Sequence, residues 1–157
     1  MSRENVETLH EQVGRSAQAL QSAVDDVDTA AAAYLGVNRT DLRCLEILQA
    51  GESTPGALAA GLNLTSGSVT TMLDRLVKLG YVSRHPEPGD RRKVVVRMTS
   101  EAATKAWGIY GPIAVEGAAA VAKYTAAELH TIIDFLDRSR ELQERHRTRI
   151  AALSDPA

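Results

Sequence analysis

Residues 66–78 read Ser-Gly-Ser-Val-Thr-Thr-Met-Leu-Asp-Arg-Leu-Val-Lys. Placing Val69, Met72, Leu73, Leu76 and Val77 on the inner face of a helix leaves eight outward positions: Ser66, Gly67, Ser68, Thr70, Thr71, Asp74, Arg75 and Lys78. The first five are small or carry a hydroxyl. Such residues let a helix approach a polyanion closely, and their hydroxyls can bond phosphate oxygens or base edges. A helix N-terminus also attracts phosphate by itself. Taken alone, the same residues are ordinary for the first turns of a helix, which favour Ser and Thr. A second cluster, Asp90-Arg91-Arg92-Lys93, follows closely. A guanidinium on a hairpin tip suits the negative potential of a narrow minor groove. A neighbouring carboxylate such as Asp90 can aim it through a charge-assisted hydrogen bond. In isolation this too reads as a solvated charged turn.

These residues need elements to hold them. Thr54-Pro55 opens a short helix through Ala60, with Thr as N-cap, Pro at the first helical position and Gly61 as its stop. Thr65 caps the next helix, Ser66–Leu79, and Gly80 ends it. Two short helices joined by a tight Gly-containing turn form a helix-turn-helix. In such units the second helix enters the major groove by its N-terminal part. The period then changes to two, giving strands at Tyr81–His85 and Lys93–Met98 around a tip rich in Pro, Gly and charge. Upstream, Thr40 is the expected N-cap of a helix with the stripe Leu42, Leu45 and Leu48, stopped by Gly51.

Longer helices flank this unit. Val6, Leu9, Val13, Ala17, Leu20, Val24, Val27 and Ala31 recur at intervals of three and four, the seam of a helix from about Glu4 to Ala33. About 30 helical residues extend about 45 Å, more than a small domain needs, so part of this helix is expected to pack on another subunit. Thr99 or Ser100 caps a fifth helix, which Gly108, Gly111, Pro112 and Gly117 should bend or break. Thr125 and Glu128 form a capping box for a final helix with the stripe Leu129, Ile132, Ile133, Leu136, Leu142 and Ile150. The expected fold is mainly α with a small β wing.

The 157 residues carry 18 Lys+Arg and 20 Asp+Glu, a net charge of −2. A globally basic protein is therefore excluded. The charge is uneven, however: residues 64–99 hold seven basic and three acidic residues, or +4, between acidic flanks. That points to a focused anion-binding face. One cysteine, Cys44, excludes an intrachain disulfide framework and a multi-cysteine zinc site. Cys44 reads either as a small buried apolar residue or as a redox sensor. No G-x-G-x-x-G, P-loop, G-x-S-x-G, H-E-x-x-H or C-x-x-C occurs, so no catalytic residue, cofactor or metal is expected. His130 and Asp134, four apart, read as a solvated helix pair rather than metal ligands. The polar N-terminus lacks an apolar signal core and no apolar run approaches the roughly 20 residues of a membrane span, so the chain is expected to be cytoplasmic, with no membrane partner.

The stretch LNLTSGSVTTMLDRLVKLGYVSRHPEPGDRRKVVVRMTSEA resembles the MarR family of winged helix-turn-helix repressors. The match lies in helix–Gly-Tyr-Val-x-Arg, then Pro-x-x-Asp-Arg-Arg, then a Val-rich strand ending in Met-Thr. The resemblance implies one MarR-like domain over residues 1–157. Residues 1–36 and 100–157 would form dimerisation helices, and residues 38–99 the DNA-binding lobe. It implies a homodimer on a double-stranded, pseudo-palindromic operator, a repressor released by a small aromatic or amphipathic effector. Ser66, Gly67, Ser68, Thr70, Thr71 and Arg75 would face the major groove, and Asp90, Arg91, Arg92 and Lys93 would form the wing. Arg92 maps to the arginine that reaches the minor groove and Asp90 to the residue that orients it. Gly67 departs from the pattern, offering no side chain to a base. The family's ligand cleft suggests Tyr34, Leu42, Trp107 and Tyr110 as lining residues, which core packing would equally explain. The alternative is a winged-helix protein–protein module that binds no DNA.

Overall fold

The computed structural model describes the backbone of residues 3–87 and 90–153 and the side chains of residues 6–86 and 93–153. The elements run α1 (Arg3–Leu35), α2 (Arg39–Ala50), α3 (Pro55–Leu62), α4 (Ser66–Lys78), β1 (Val82–Glu87), β2 (Asp90–Met98), α5 (Ser100–Val121) and α6 (Ala126–Leu153). The mainly helical fold with a small hairpin agrees with the patterning. The chain divides into two compact units, Met1–Ile109 and Tyr110–Ala157.

The first unit holds the core. Leu58, Leu73, Leu76, Val69 and Val96 are fully buried, joined by Leu42, Cys44 and Leu48 of α2 and by Ala31 and Leu35 at the end of α1. Leu42 and Leu48 of α2 and Val69, Leu73 and Leu76 of α4 are inner positions that the helical spacing selects. Tyr81 is also buried, and its hydroxyl donates to the Leu35 carbonyl at 2.9 Å. That bond satisfies the phenol inside the core and ties the turn after α4 to the end of α1.

Several boundaries differ from expectation for local reasons. The N-cap of α2 is Asn38, not Thr40. The Asn38 side chain accepts the Asp41 N–H at 2.8 Å, and the Asp41 carboxylate accepts the Asn38 N–H at 3.1 Å. Asn is a stronger cap than Thr, and an acid three residues on completes the reciprocal box. Thr54 and Pro55 start α3 as expected, but the helix passes through Gly61 to Leu62. Its end is set by Asn63, which takes the left-handed conformation at φ 54°. Asn tolerates that region because its short amide bonds locally. Gly80, at φ 75°, follows α4 as the expected stop.

The hairpin strands are longer than the patterning predicts. They pair antiparallel from Val82↔Met98 to Pro86↔Val94, and then the register shifts to Glu87↔Asp90. Pro86 is tolerated because β1 is an edge strand. Residues 91–93 fall between the two registers, so the basic run occupies an irregular part of β2. Ser53 adds a short bridge to Val96 on the other side of β2, with N–H···O distances of 3.1 and 2.8 Å.

Of the expected bend or break in α5, the break does not occur. The helix runs unbroken over 22 residues with Gly108, Gly111, Pro112 and Gly117 inside it. A proline removes one hydrogen bond and crowds the carbonyl four residues back, here that of Gly108, and the helix continues through both. Ala118–Ala120, the strongest helix formers, sustain the later turns. Thr99 starts α5 as expected, accepting the Ala102 N–H at 3.2 Å. Its hydroxyl also donates to the Gly80 carbonyl at 2.8 Å, pinning α5 to the turn after α4.

The second unit comprises the remainder of α5 and α6. The capping box of α6 is present: Glu128 accepts the Thr125 N–H at 2.8 Å, and Thr125 accepts the Glu128 N–H at 3.4 Å. The Thr125 N–H, and then its hydroxyl, both donating to the carboxylate at 2.8 Å, hold the Glu128 carboxyl below its ordinary pKa. No residue of α6 is buried.

Candidate nucleic-acid interface

α3 and α4 pack as a helix-turn-helix, with Thr65 as the cap of α4. The Thr65 hydroxyl accepts the Ser68 N–H at 3.2 Å and lies 2.9 Å from the Ser68 hydroxyl. Ser66, Gly67, Ser68, Thr70 and Thr71 are all exposed, as expected. Thr70 donates to the Ser66 carbonyl at 3.0 Å and Thr71 to the Gly67 carbonyl at 3.2 Å. With their protons turned back into the helix, both hydroxyls present lone pairs outward. They would accept from amino groups on base edges and would have to rotate to donate to phosphate. A Cβ built on Gly67 meets nothing within 4 Å. The glycine is therefore not required by the free chain's own packing.

The inner face of α4 is Val69, Met72, Leu73 and Leu76, all buried, whereas Val77 is exposed. Two adjacent charged residues add directional ties. Asp74 pairs with Arg84 of β1 at 2.7 Å, linking the helix to the hairpin. Arg75, expected to face solvent, has a committed guanidinium. Its Nε donates to Asp41 Oδ2 at 2.9 Å and its Nη2 to Asp41 Oδ1 at 2.5 Å, with 42% of the side chain exposed. Asp41 is fully buried. Its hydrogen bond and charge push the Arg75 pKa further above its ordinary value.

Sequence reasoning missed Asp41. The Asn38–Asp41 spacing signals a capping box, but nothing local reveals that the same carboxylate also holds an arginine 34 positions later.

On the hairpin, Lys93 is exposed, and its backbone and those of Asp90, Arg91 and Arg92 belong to β2. The side chains of Asp90, Arg91 and Arg92 lie outside the described residues. Of the suggested ligand-lining residues in the first unit, Leu42 is buried in the core, while Tyr34 and Trp107 are 75% and 63% exposed. Tyr110, half-buried, opens the second unit. Leu42 thus packs as core, and Tyr34 and Trp107 do not. Lys105 lies over the Tyr81 ring, 5.2 Å from its centroid, and pairs with Glu101 at 3.0 Å. Cys44 is fully buried, and burial followed by the Asp41 charge pushes its thiol up to about 11. A thiolate is disfavoured there, which fits the packing reading of Cys44. Among the described residues no group of three or more His, Cys, Asp or Glu is placed to hold a metal ion. No helix among them is long and apolar enough to cross a membrane.

A capped helix pair with an exposed, hydroxyl-rich second helix and a basic antiparallel hairpin directly after it defines a winged helix-turn-helix protein. Residues 35–93 match the sequence model of the MarR family. The chain is 35% identical over 122 residues to the HTH-type transcriptional regulator YcgE of Bacillus subtilis (strain 168), spanning 77% of this chain and 79% of that protein. Among solved structures it is similar to RV1404 of Mycobacterium tuberculosis, at 22% identity over 90% of this chain and 96% of that one, with a TM-score of 0.64. It is also similar to a mutant of MarR from E. coli complexed with operator DNA, at 27% identity over 82% of this chain and 93% of that one, with a TM-score of 0.53. The chain belongs to the MarR family of transcriptional regulators.

Proposed function

We propose that this chain is a homodimeric repressor, working in the cytoplasm by binding a pseudo-palindromic DNA operator rather than by catalysis. The observation that carries the reading is the exposed, small and hydroxyl-rich N-terminal half of α4, followed directly by a hairpin within the chain's one net-positive segment. Ser66, Gly67, Ser68, Thr70 and Thr71 approach the major groove. Arg91, Arg92 and Lys93 reach the adjacent backbone and minor groove, with Asp90 aiming Arg92. The similarity to a MarR protein complexed with operator DNA supports this reading. Residues 38–99 act as the DNA-binding lobe of a single MarR-like domain, and residues 1–36 and 100–157 supply the dimer. The apolar seams of α1 and α6 favour a second copy as their cover: Leu20 is 60% exposed and Leu136 52% exposed in the single chain. Release by a small aromatic or amphipathic effector is supported by Tyr34 and Trp107, two large aromatics held at the surface. Burying such groups against a ligand would repay their exposure.

The salt dependence of binding tests the DNA reading. Two recognition helices and two wings would neutralise roughly 6–10 phosphates, giving a slope of log K against log salt of about −5 to −9. Fluorescence anisotropy on a duplex selected by the protein from a random pool measures it. A flat dependence would reject the basic segment as the binding face and favour a protein–protein module.

A further inference from the structure

We infer that Asp41 is a positioning residue for DNA recognition, acting through Arg75 to fix the rotation of α4 about its own axis; this rests on the DNA-binding reading above. Four apolar side chains hold α4 to the core. Apolar contact is non-directional and leaves a helix free to roll by small angles. The Arg75–Asp41 contact is directional. A planar guanidinium gives two parallel N–H groups, Nε and Nη2, to the two oxygens of one carboxylate. The carboxylate is itself immobilised. It is fully buried, sits in the first turn of α2, and its Oδ2 also accepts the Asn38 N–H. Arg75 is thus tied to the start of a neighbouring helix rather than to a mobile surface chain.

The lever is short and its effect large. The tip of an outward side chain lies about 5–6 Å from the helix axis, so a roll of about 10° displaces it by about 1 Å. Direct hydrogen bonds tolerate only a few tenths of an ångström. Ser68, Thr70 and Thr71 therefore keep their register with base edges only while the roll is held. Phosphate attraction falls off slowly with distance and does not need that precision. The pair accordingly sets sequence discrimination and leaves non-specific affinity alone. Arg75 contributes through this tie and not by reading a base with the two N–H groups that Asp41 occupies.

The test uses Asp41→Asn, Arg75→Gln and the double variant, with thermal melting as the check of folding. Affinities are measured for a duplex enriched by the wild-type chain from a random 30-bp pool and for the unselected pool. The neutral double variant strands no buried charge, so it carries the measurement if either single variant fails to fold. The expected result is a fall of about ten- to hundred-fold in the ratio of selected to unselected affinity, the size of one or two lost base contacts. In the double variant, which leaves the net charge unchanged, the unselected affinity and the salt slope should stay near wild type, while the selected ratio falls no further than in the singles. A double variant with the wild-type ratio overturns the proposal. So does a salt slope reduced by about 1 for each Arg75 lost, which would make Arg75 a direct phosphate contact. A wild-type chain that enriches no duplex overturns the DNA-binding reading itself, a failure distinct from either.

Discussion

Gly67 is exposed, helical, and has open space where a Cβ would stand. Alanine there should stabilise the free chain by about 0.5–1 kcal/mol, because glycine loses more backbone entropy on entering a helix. If the first turn of α4 lies against DNA, the added methyl costs affinity while raising stability. Urea unfolding and operator titration of Gly67→Ala should move in opposite directions; a variant gaining stability with unchanged affinity would place that turn away from DNA. Asp90 offers a test of sign. Loss of a carboxylate near DNA strengthens binding by simple electrostatics, whereas loss of a residue that aims Arg92 weakens it. Arg92→Ala should cost about 1–3 kcal/mol per half-site, most on A·T-flanked operators with a narrow minor groove. Asp90→Ala should copy part of that loss. Tighter binding by Asp90→Ala on both A·T-flanked and G·C-flanked duplexes would leave only a diffuse positive patch.

The elements divide by whether their apolar faces are covered. The faces of α2 and α4 are largely buried, while the seam of α1 from Val6 to Val27 and Ile133, Leu136, Leu142 and Ile150 of α6 stand exposed in the single chain. An isolated 33-residue helix with such a seam would gain stability only by packing. On an exposed monomer surface a charged substitution usually changes stability by less than about 0.5 kcal/mol. In a dimer seam it buries an unpaired charge, which costs about 3–5 kcal/mol. Leu20→Glu and Leu136→Glu should therefore dissociate or unfold the protein. Sedimentation velocity at micromolar concentration reads the outcome, and a wild-type species at 16.9 kDa would remove the dimer from the account.

The whole molecule carries −2, with residues 64–99 as its net-positive stretch. Acidic flanks around a basic segment orient an approaching duplex towards that segment, since the field is strongest where charge of one sign is concentrated. Bound as the proposed two-fold dimer, the protein would present two α4 helices to one face of the duplex. Hydroxyl-radical footprinting should show half-sites centred about 10 bp apart, or one further helical turn. A single asymmetric footprint would contradict two-fold binding.

Local rules made much of this legible in the chain. Thr54-Pro55, Thr65 and Thr125-x-x-Glu128 announce their helices because caps act within four residues, and the apolar spacing of α4 picks out its buried face in advance, Val77 excepted. The exposed hydroxyl cluster and the basic hairpin follow from the same patterning. Where two local signals competed, reading failed: Asn38 displaced Thr40 as a cap, and Asn63 rather than Gly61 ended α3. In α5, the helix continues through Gly108, Gly111 and Pro112 despite their breaking propensity. Partnerships distant in sequence were not legible at all. Arg75 reads as one more outward cation, and only folding brings it to Asp41 on another helix, with Asp74 on Arg84 beside it. Short-range hydrogen bonds fix where a helix begins, but which side chain meets which across the core depends on how the helices pack.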